Sequence, residues 1–316
     1  MRVYLAVAAL AAVPAIAVAQ DAVAPQAPAA RETDATARGR LGFDVTSQYF
    51  FRGIRQASDG LILQPWAEVG WSLIDGNDSL RGLELTLGTW NSLQSDTPNA
   101  ADGSWYEGRG YIDLTASVGE KWTFGMRYTA YGNPNGGGTY EQATEGFGTV
   151  QEFAFRAQLD DRGYLGELIE SGLQPYALLA LETAGEREYY FVDPNSIDAN
   201  GGVYAEFGIT PSFNTSIGDD DLRLYVPIKL GLSVSDYYQD TSTGKDEHFG
   251  YLDVGVEIRQ PLKFLPHRMG PWQAVVGLHF LLLGDNCEER NKSTDAPSVS
   301  GDELEFILNI GLSTSF

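Results

Sequence analysis

From Leu304 to Phe316 the even positions read Leu304, Phe306, Leu308, Ile310, Leu312, Thr314 and Phe316. The odd positions read Glu305, Ile307, Asn309, Gly311, Ser313 and Ser315. A side-chain period of two belongs to an extended strand, whose successive Cβ atoms point to opposite faces; a helix cannot keep that register. The segment is a strand with one apolar face and one polar or small face.

The same periodicity recurs through the chain. Leu222, Leu224, Val226, Ile228, Leu230 and Leu232 alternate with Arg223, Tyr225, Lys229 and Ser233. Leu252, Val254, Val256 and Ile258 alternate with Tyr251, Asp253, Glu257 and Arg259. Twelve such segments can be drawn, at 41–52, 61–74, 80–91, 104–117, 121–132, 148–159, 174–184, 201–213, 221–234, 248–259, 271–284 and 303–316. The seventh, which opens "QPYALLALETA", is ambiguous in phase.

The connections alternate as well. "NSLQSDTPNAADG", "GNPNGGGTYEQATEG", "EREYYFVDPNSIDAN" and "NCEERNKSTDAPSVS" are long, whereas "DGND", "VGEK" and "NTSIGDD" are short. Two turns on the short side, "DDRGYLGELIESG" and "PLKFLPHRMG", carry Leu165, Leu168, Ile169, Leu262 and Phe264, as segments lying against an interface would. Long loops on one side, turns on the other and an even strand count point to an all-β fold. The expectation is a transmembrane antiparallel up-and-down β-barrel of about 12 strands. A soluble sandwich or closed barrel explains the alternation equally well, but not the one-sided loops. Five of six tryptophans (Trp71, Trp90, Trp105, Trp122, Trp272) lie near segment ends, where barrels carry aromatic girdles; by phase Trp90 and Trp105 face inward.

Residues 1–19 read as a signal peptide: Met1-Arg2, an apolar run to Val18, and Ala17-Val18-Ala19 as the cleavage site. The Ala/Pro-rich residues 20–40 read as a disordered periplasmic leader, and 41–316 as the barrel, in the cell outer membrane. After residue 19 no apolar run approaches the twenty residues of a helical span. A formal charge of −22 argues against nucleic acid as a partner. The single cysteine, Cys287, cannot form an intrachain disulfide and is expected as an exposed free thiol in the last long loop.

The first segment continues as "SQYFFRGIRQ". By phase, Tyr49 and Phe51 belong to an outer aromatic girdle, Arg52 points into the barrel mouth, and Gly53 permits the turn. The stretch "DVTSQYFFRGIRQ" with the following "LQPWAEVG" resembles the start of the TorF-type porins, bacterial outer-membrane β-barrels. Their Ser-x-Tyr-x-Phe-Arg-Gly-x-x-Gln pattern falls here on Ser47, Tyr49, Phe51, Arg52, Gly53 and Gln56. The resemblance covers about forty residues and implies a fold more than an activity. The closing "LNIGLSTSF" resembles the C-terminal signal, ending on Phe316, by which the outer-membrane assembly machinery recognises barrels.

With the polar phase inward, the lumen is charged. Arg52, Arg109, Arg127, Arg156, Glu107, Asp113, Glu152, Asp253 and Glu257 are the pore-lining candidates. Charges this numerous must be hydrated or paired. Twelve strands lie between the filled eight-stranded barrel and the wide porins, so a narrow channel for passive diffusion of small hydrophilic or ionic solutes is expected. A slight acidic excess favours cations. The competing reading is an ion-pair network that plugs the barrel. A further alternative is a non-conducting structural or binding barrel acting through acidic loops: Glu141, Glu145, Asp236, Asp240, Asp246, Glu247, Glu288, Glu289 and Asp295. Such loops would concentrate cations or bind divalent ions that bridge lipopolysaccharide, although no calcium-loop spacing occurs. Catalysis is not expected: His248, His267 and His279 lack a nucleophile-elbow partner, and no metal or cofactor motif is present.

Overall fold

The computed structural model describes residues 37–76, 79–96, 104–133, 146–166, 169–184, 201–217, 220–240, 243–266, 270–293 and 303–316. The signal-peptide expectation, nearly all of the leader, and Glu141, Glu145, Leu168, His267 and Asp295 lie outside them.

The strands are β1 (Ala37–Thr46), β2 (Tyr49–Phe51), β3 (Ile54–Ala57), β4 (Ile62–Asp75), β5 (Leu80–Gln94), β6 (Trp105–Val118), β7 (Trp122–Asn133), β8 (Gly146–Leu159) and β9 (Tyr176–Ala184). They continue with β10 (Val203–Ile209), β11 (Ser212–Ile217), β12 (Asp220–Tyr225), β13 (Ile228–Ser235), β14 (Phe249–Pro261), β15 (Gln273–Leu283) and β16 (Leu304–Ser315); helix α1 (Asp285–Ser293) lies between the last two.

Fourteen of these strands form one sheet, in which β10 pairs with β13, β11 with β12, and both β12 and β13 with β14. The sheet closes where β1 meets β16, from Arg40↔Ser315 to Thr46↔Asn309, antiparallel like every other pair. β10 and β11 are one wall strand interrupted at Thr210-Pro211, and β12 and β13 are another, interrupted at Val226-Pro227. Proline has no N–H to donate, so the ladder breaks there; the Val226 N–H still donates to the Pro211 carbonyl, 3.0 Å, across the gap. Counted so, the wall has twelve strands, as the sequence pattern implies.

Large apolar side chains cover the outside of the wall. Leu87, Ile112, Phe124, Phe155, Leu179, Phe207, Val256 and Phe306 are all exposed on the outside of the wall, whereas Gln64, Ser92, Glu107, Glu206 and Asp253 are buried inside. A water-soluble barrel has the opposite arrangement; apolar out and polar in is the pattern of a transmembrane barrel. In β9 the ambiguity of phase resolves with Tyr176, Leu178 and Ala180 inward and Leu179 outward. Its inner positions are apolar because they pack against a cluster inside the barrel.

That cluster comes from the first correction to the sequence reading. The segment 41–52 is not a single wall strand: β1 begins at Ala37 and ends at Thr46, and β2 and β3 form a separate two-stranded sheet. The hairpin folds into the lumen. Tyr49 and Phe51 are therefore not in an outer girdle; they are 0% and 4% exposed, and Phe50 between them is also buried. Twelve strands enclose more space than wall side chains fill, and the hairpin aromatics fill it from within. Phe50 and Ile54 pack with Ala180, Tyr204, Tyr237, Tyr238, Tyr251, Leu281 and Cys287, while Tyr49 and Phe51 pack with Trp90 and Tyr131.

The last long loop begins as α1, and its Cys287 is fully buried rather than an exposed thiol. Trp105, inward by phase, is exposed at the start of β6, whereas Trp90 is buried inside as expected.

Candidate functional site

The turn of the hairpin is Arg52-Gly53, with φ of 49° and 82°. Two central residues with positive φ suit the right-handed twist of a tight hairpin, and the second is a glycine. The first is an arginine, which pays steric strain in the left-handed region. Its surroundings explain why it stays there.

The Arg52 guanidinium donates to both oxygens of Glu152 on β8, Nη1 to Oε2 at 2.6 Å and Nη2 to Oε1 at 2.9 Å. Nη1 also donates to the Tyr237 hydroxyl at 2.9 Å. The guanidinium carbon lies 4.1 Å from the ring centroid of Tyr204 on β10, with Phe51 and Tyr237 at 5.0 and 5.4 Å. Both charged side chains are nearly inaccessible. A buried pair of this kind is net stabilising only when its geometry is good; losing one partner costs about 3–5 kcal/mol.

Other polar contacts fix the rest of the hairpin. The Arg55 backbone N–H donates to Asn291 Oδ1 at 2.8 Å, and Arg55 Nη2 donates to the Asn291 carbonyl at 2.6 Å. Arg55 Nη1 reaches Glu305 at 3.3 Å. Asn291, near the end of α1, returns a bond from Nδ2 to the Gly53 carbonyl at 3.1 Å, and the Tyr238 hydroxyl donates to the Arg52 carbonyl at 3.0 Å. On the opposite side Tyr49 donates to Glu107 Oε2 at 2.7 Å, and Arg109 Nε donates to Oε1 at 2.5 Å. Arg109 also bonds the Tyr49 hydroxyl and stacks on Trp90 at 4.2 Å.

Nearer the short-turn rim the lumen changes character. Arg127 Nε donates to Asp113 Oδ2 at 2.9 Å and stacks on Tyr111; Arg259 Nη2 donates to Glu257 Oε2 at 2.8 Å. The side chains of Arg127 and Arg259 are 21% and 20% accessible, against 5% and 8% for Arg52 and Arg109. Arg156 lies over the Tyr176 ring at 4.1 Å. Asp253 bonds Lys229 at 3.0 Å and His279 Nδ1 at 2.7 Å, and Glu206 accepts hydroxyls from Tyr176, Tyr204 and Tyr251 at 2.6 to 2.9 Å. The lumen is filled around the hairpin and at Glu206, Lys229, Asp253 and His279, which are all buried, whereas the pairs Arg127–Asp113 and Arg259–Glu257 stay partly accessible toward the short turns.

The nine candidate residues lie inside the barrel, with Arg52, Arg109, Glu107, Glu152 and Asp253 buried and Arg127, Asp113 and Glu257 partly accessible; Arg156 lies over Tyr176. Arg52 differs from the other eight: it enters from the hairpin and not from the wall. Sequence reasoning missed the tyrosines around the arginines and the role of Arg55 and Asn291. The tyrosines had a signal, because Tyr111, Tyr131, Tyr176, Tyr204 and Tyr251 occupy inward positions of their strands. Asn291 had none, since its loop reads as irregular. Neither described histidine meets a hydroxyl nucleophile: His279 is bound to Asp253, and His248 Nδ1 lies 3.2 Å from the Ser233 carbonyl. Two of the acidic loop residues hold the long loops in place. Asp246 accepts from Ser233 Oγ and the Asp236 and Tyr238 backbones, and Glu247 accepts from the first N–H groups of α1.

The sequence matches no family model and no curated protein. Among solved structures it is similar to an outer membrane channel from Pseudomonas putida F1, at 13% identity and a TM-score of 0.42, over 92% of this chain and 99% of that one. It is also similar to the β domain of the Bordetella autotransporter BrkA, at 10% identity, TM-score 0.38, 89% of this chain and 98% of that one. A bacterial polysaccharide outer membrane secretin follows at 7% identity, TM-score 0.36, 90% of this chain and 99% of that one. The fold assignment rests on the closed sheet and its apolar exterior: this chain is a twelve-stranded transmembrane β-barrel with the β2–β3 hairpin inside.

Proposed function

We propose that the chain is a channel of the bacterial outer membrane for small hydrophilic or ionic solutes, of the TorF type that its first hairpin resembles, closed in this state by that hairpin. In this reading the long loops are extracellular, the short turns are periplasmic, and the exterior meets the bilayer and lipopolysaccharide. Phe316 serves recognition by the assembly machinery. One observation carries the proposal: β2 and β3 pair with each other and with no wall strand. Their hold on the wall is made of side-chain ion pairs, hydrogen bonds and aromatic packing, so the plug can leave without opening the barrel. The partly accessible charged pairs beneath it then continue to the mouth. A binding barrel acting through acidic loops is the weaker reading, because Asp246 and Glu247 are spent on the loops' own structure.

The test is single-channel recording in planar bilayers, with the reversal potential measured under a salt gradient. The intact protein is expected to be closed with rare openings. Deletion of residues 48–57 should give steady openings that prefer cations, since Glu152 and Glu305 lose their arginine partners. A plugless barrel that refolds and stays silent would sink the proposal.

A further inference from the structure

The surroundings of Arg52 form a recognisable site once the arginine is regarded as an occupant. Three of its parts do not belong to the hairpin. Glu152 presents both oxygens, the guanidinium carbon lies over the Tyr204 ring at 4.1 Å from its centroid, and the Tyr237 hydroxyl accepts a third N–H. These parts are fixed by other contacts. The Tyr204 hydroxyl donates to Glu206 at 2.7 Å and lies 2.9 Å from the Tyr251 hydroxyl, and the Tyr131 hydroxyl donates to Glu152 at 3.3 Å. A carboxylate fork beside an aromatic face matches the planar, weakly hydrated guanidinium group. It suits magnesium or calcium poorly, since those ions need several more oxygens to replace their water.

The occupant arrives at some cost. Arg52 takes a left-handed φ of 49° to reach the site, on a hairpin that shares no ladder with the wall. When the hairpin withdraws, Arg52 goes with it, and the cage of Glu152, Tyr204 and Tyr237 would face the pathway. We propose that this cage is a binding site for guanidinium-bearing small solutes, and that Arg52 is a tethered stand-in which fills it in the closed state. The proposal rests on the channel reading for its role in transport; the site itself does not. It assigns a solute class to the pathway and makes closure a competition between Arg52 and the solute.

The experiment uses the full chain carrying Arg52→Ala, refolded in detergent, with methylguanidinium at about 10 mM as the probe. The probe should raise the melting temperature of the variant by about 3 °C while leaving the parent protein unmoved, because its site is filled. Urea, the neutral analogue, should do nothing at the same concentration, and Arg52→Ala with Glu152→Gln should lose the response. An equal shift in the parent protein or the double variant would overturn the proposal, as would no shift in Arg52→Ala. If Arg52→Ala refolds poorly, refolding yield is the readout: a higher yield with methylguanidinium supports the site, and equal yields reject it. Recording in bilayers separates the two readings. A variant stabilised by methylguanidinium that never conducts keeps the site and removes the channel; one that conducts but ignores the probe does the reverse.

Discussion

Arg52 bears two costs that a surface arginine avoids, a left-handed backbone and a buried charge. Glu152 compensates for the second and in doing so holds the first in place. Glu152→Gln should therefore weaken docking of the hairpin by about 3 kcal/mol, seen as faster amide exchange across residues 49–57 with the wall strands still protected. Gly53→Ala should cost about 1–2 kcal/mol: φ is +82°, and the added Cβ would sit 3.1 Å from the Tyr251 ring. A different residue-scale effect belongs to the turn after β8. There Arg162 donates to Asp160 from its side chain and backbone, and holds that carboxyl at about 2 against an ordinary 3.8. The depressed value means the contact stabilises fully above the ordinary carboxylate pKa and is lost as pH falls toward about 2. Arg162 is largely in solvent and Asp160 partly so, which keeps the effect small; Asp160→Asn should abolish the acid-side rise in amide exchange of this turn. At this scale period two assigns the charges of each wall strand to one face. It could not show that Arg52 meets a glutamate one hundred residues away, because that pairing is made across the lumen.

The hairpin is where period-two reasoning stops short at the scale of elements. Alternation reports that a segment is extended; it does not say which sheet the segment joins. Tyr49, Phe50 and Phe51 are buried on both faces, so neither phase could have pointed outward. Helix α1 was hidden for another reason: its stretch Asp285–Ser293 is strongly polar, with almost no apolar stripe to read. Its acidic start and basic last turn suit the helix dipole, and Glu247 caps its N-terminus from another loop. The helix in turn clamps the plug through Asn291. Cys287 reports on that clamp, since burial pushes its thiol pKa up and removes it from solvent. A maleimide should label it very slowly in the folded protein. Asn291→Ala, which removes the side-chain bonds to the Arg55 N–H and the Gly53 carbonyl, should raise the labelling rate about tenfold, the equivalent of one modest hydrogen bond.

For the whole molecule, the wall was the most legible part, because every strand repeats the same demand: lipid on one side, lumen on the other. Ile112 illustrates it, half exposed on β6 between the inward-facing Tyr111 and Asp113. Ile112→Arg should lower unfolding free energy in vesicles by about 2–4 kcal/mol, measured by denaturant titration. What fills the lumen was less legible, since an interior can be closed by wall side chains, by a loop or by a hairpin between two wall strands, and all three leave the same alternating pattern outside.

The hairpin follows β1 after only Ser47 and Gln48. A plug on so short a tether has an effective concentration set by chain geometry, in the millimolar range or above, and dilution does not change it. The number of barrels in a membrane, or the volume around them, leaves the fraction of plugged lumens unaltered. Only an agent that reaches the lumen at a comparable local concentration, or that changes the free energy of docking, can shift it.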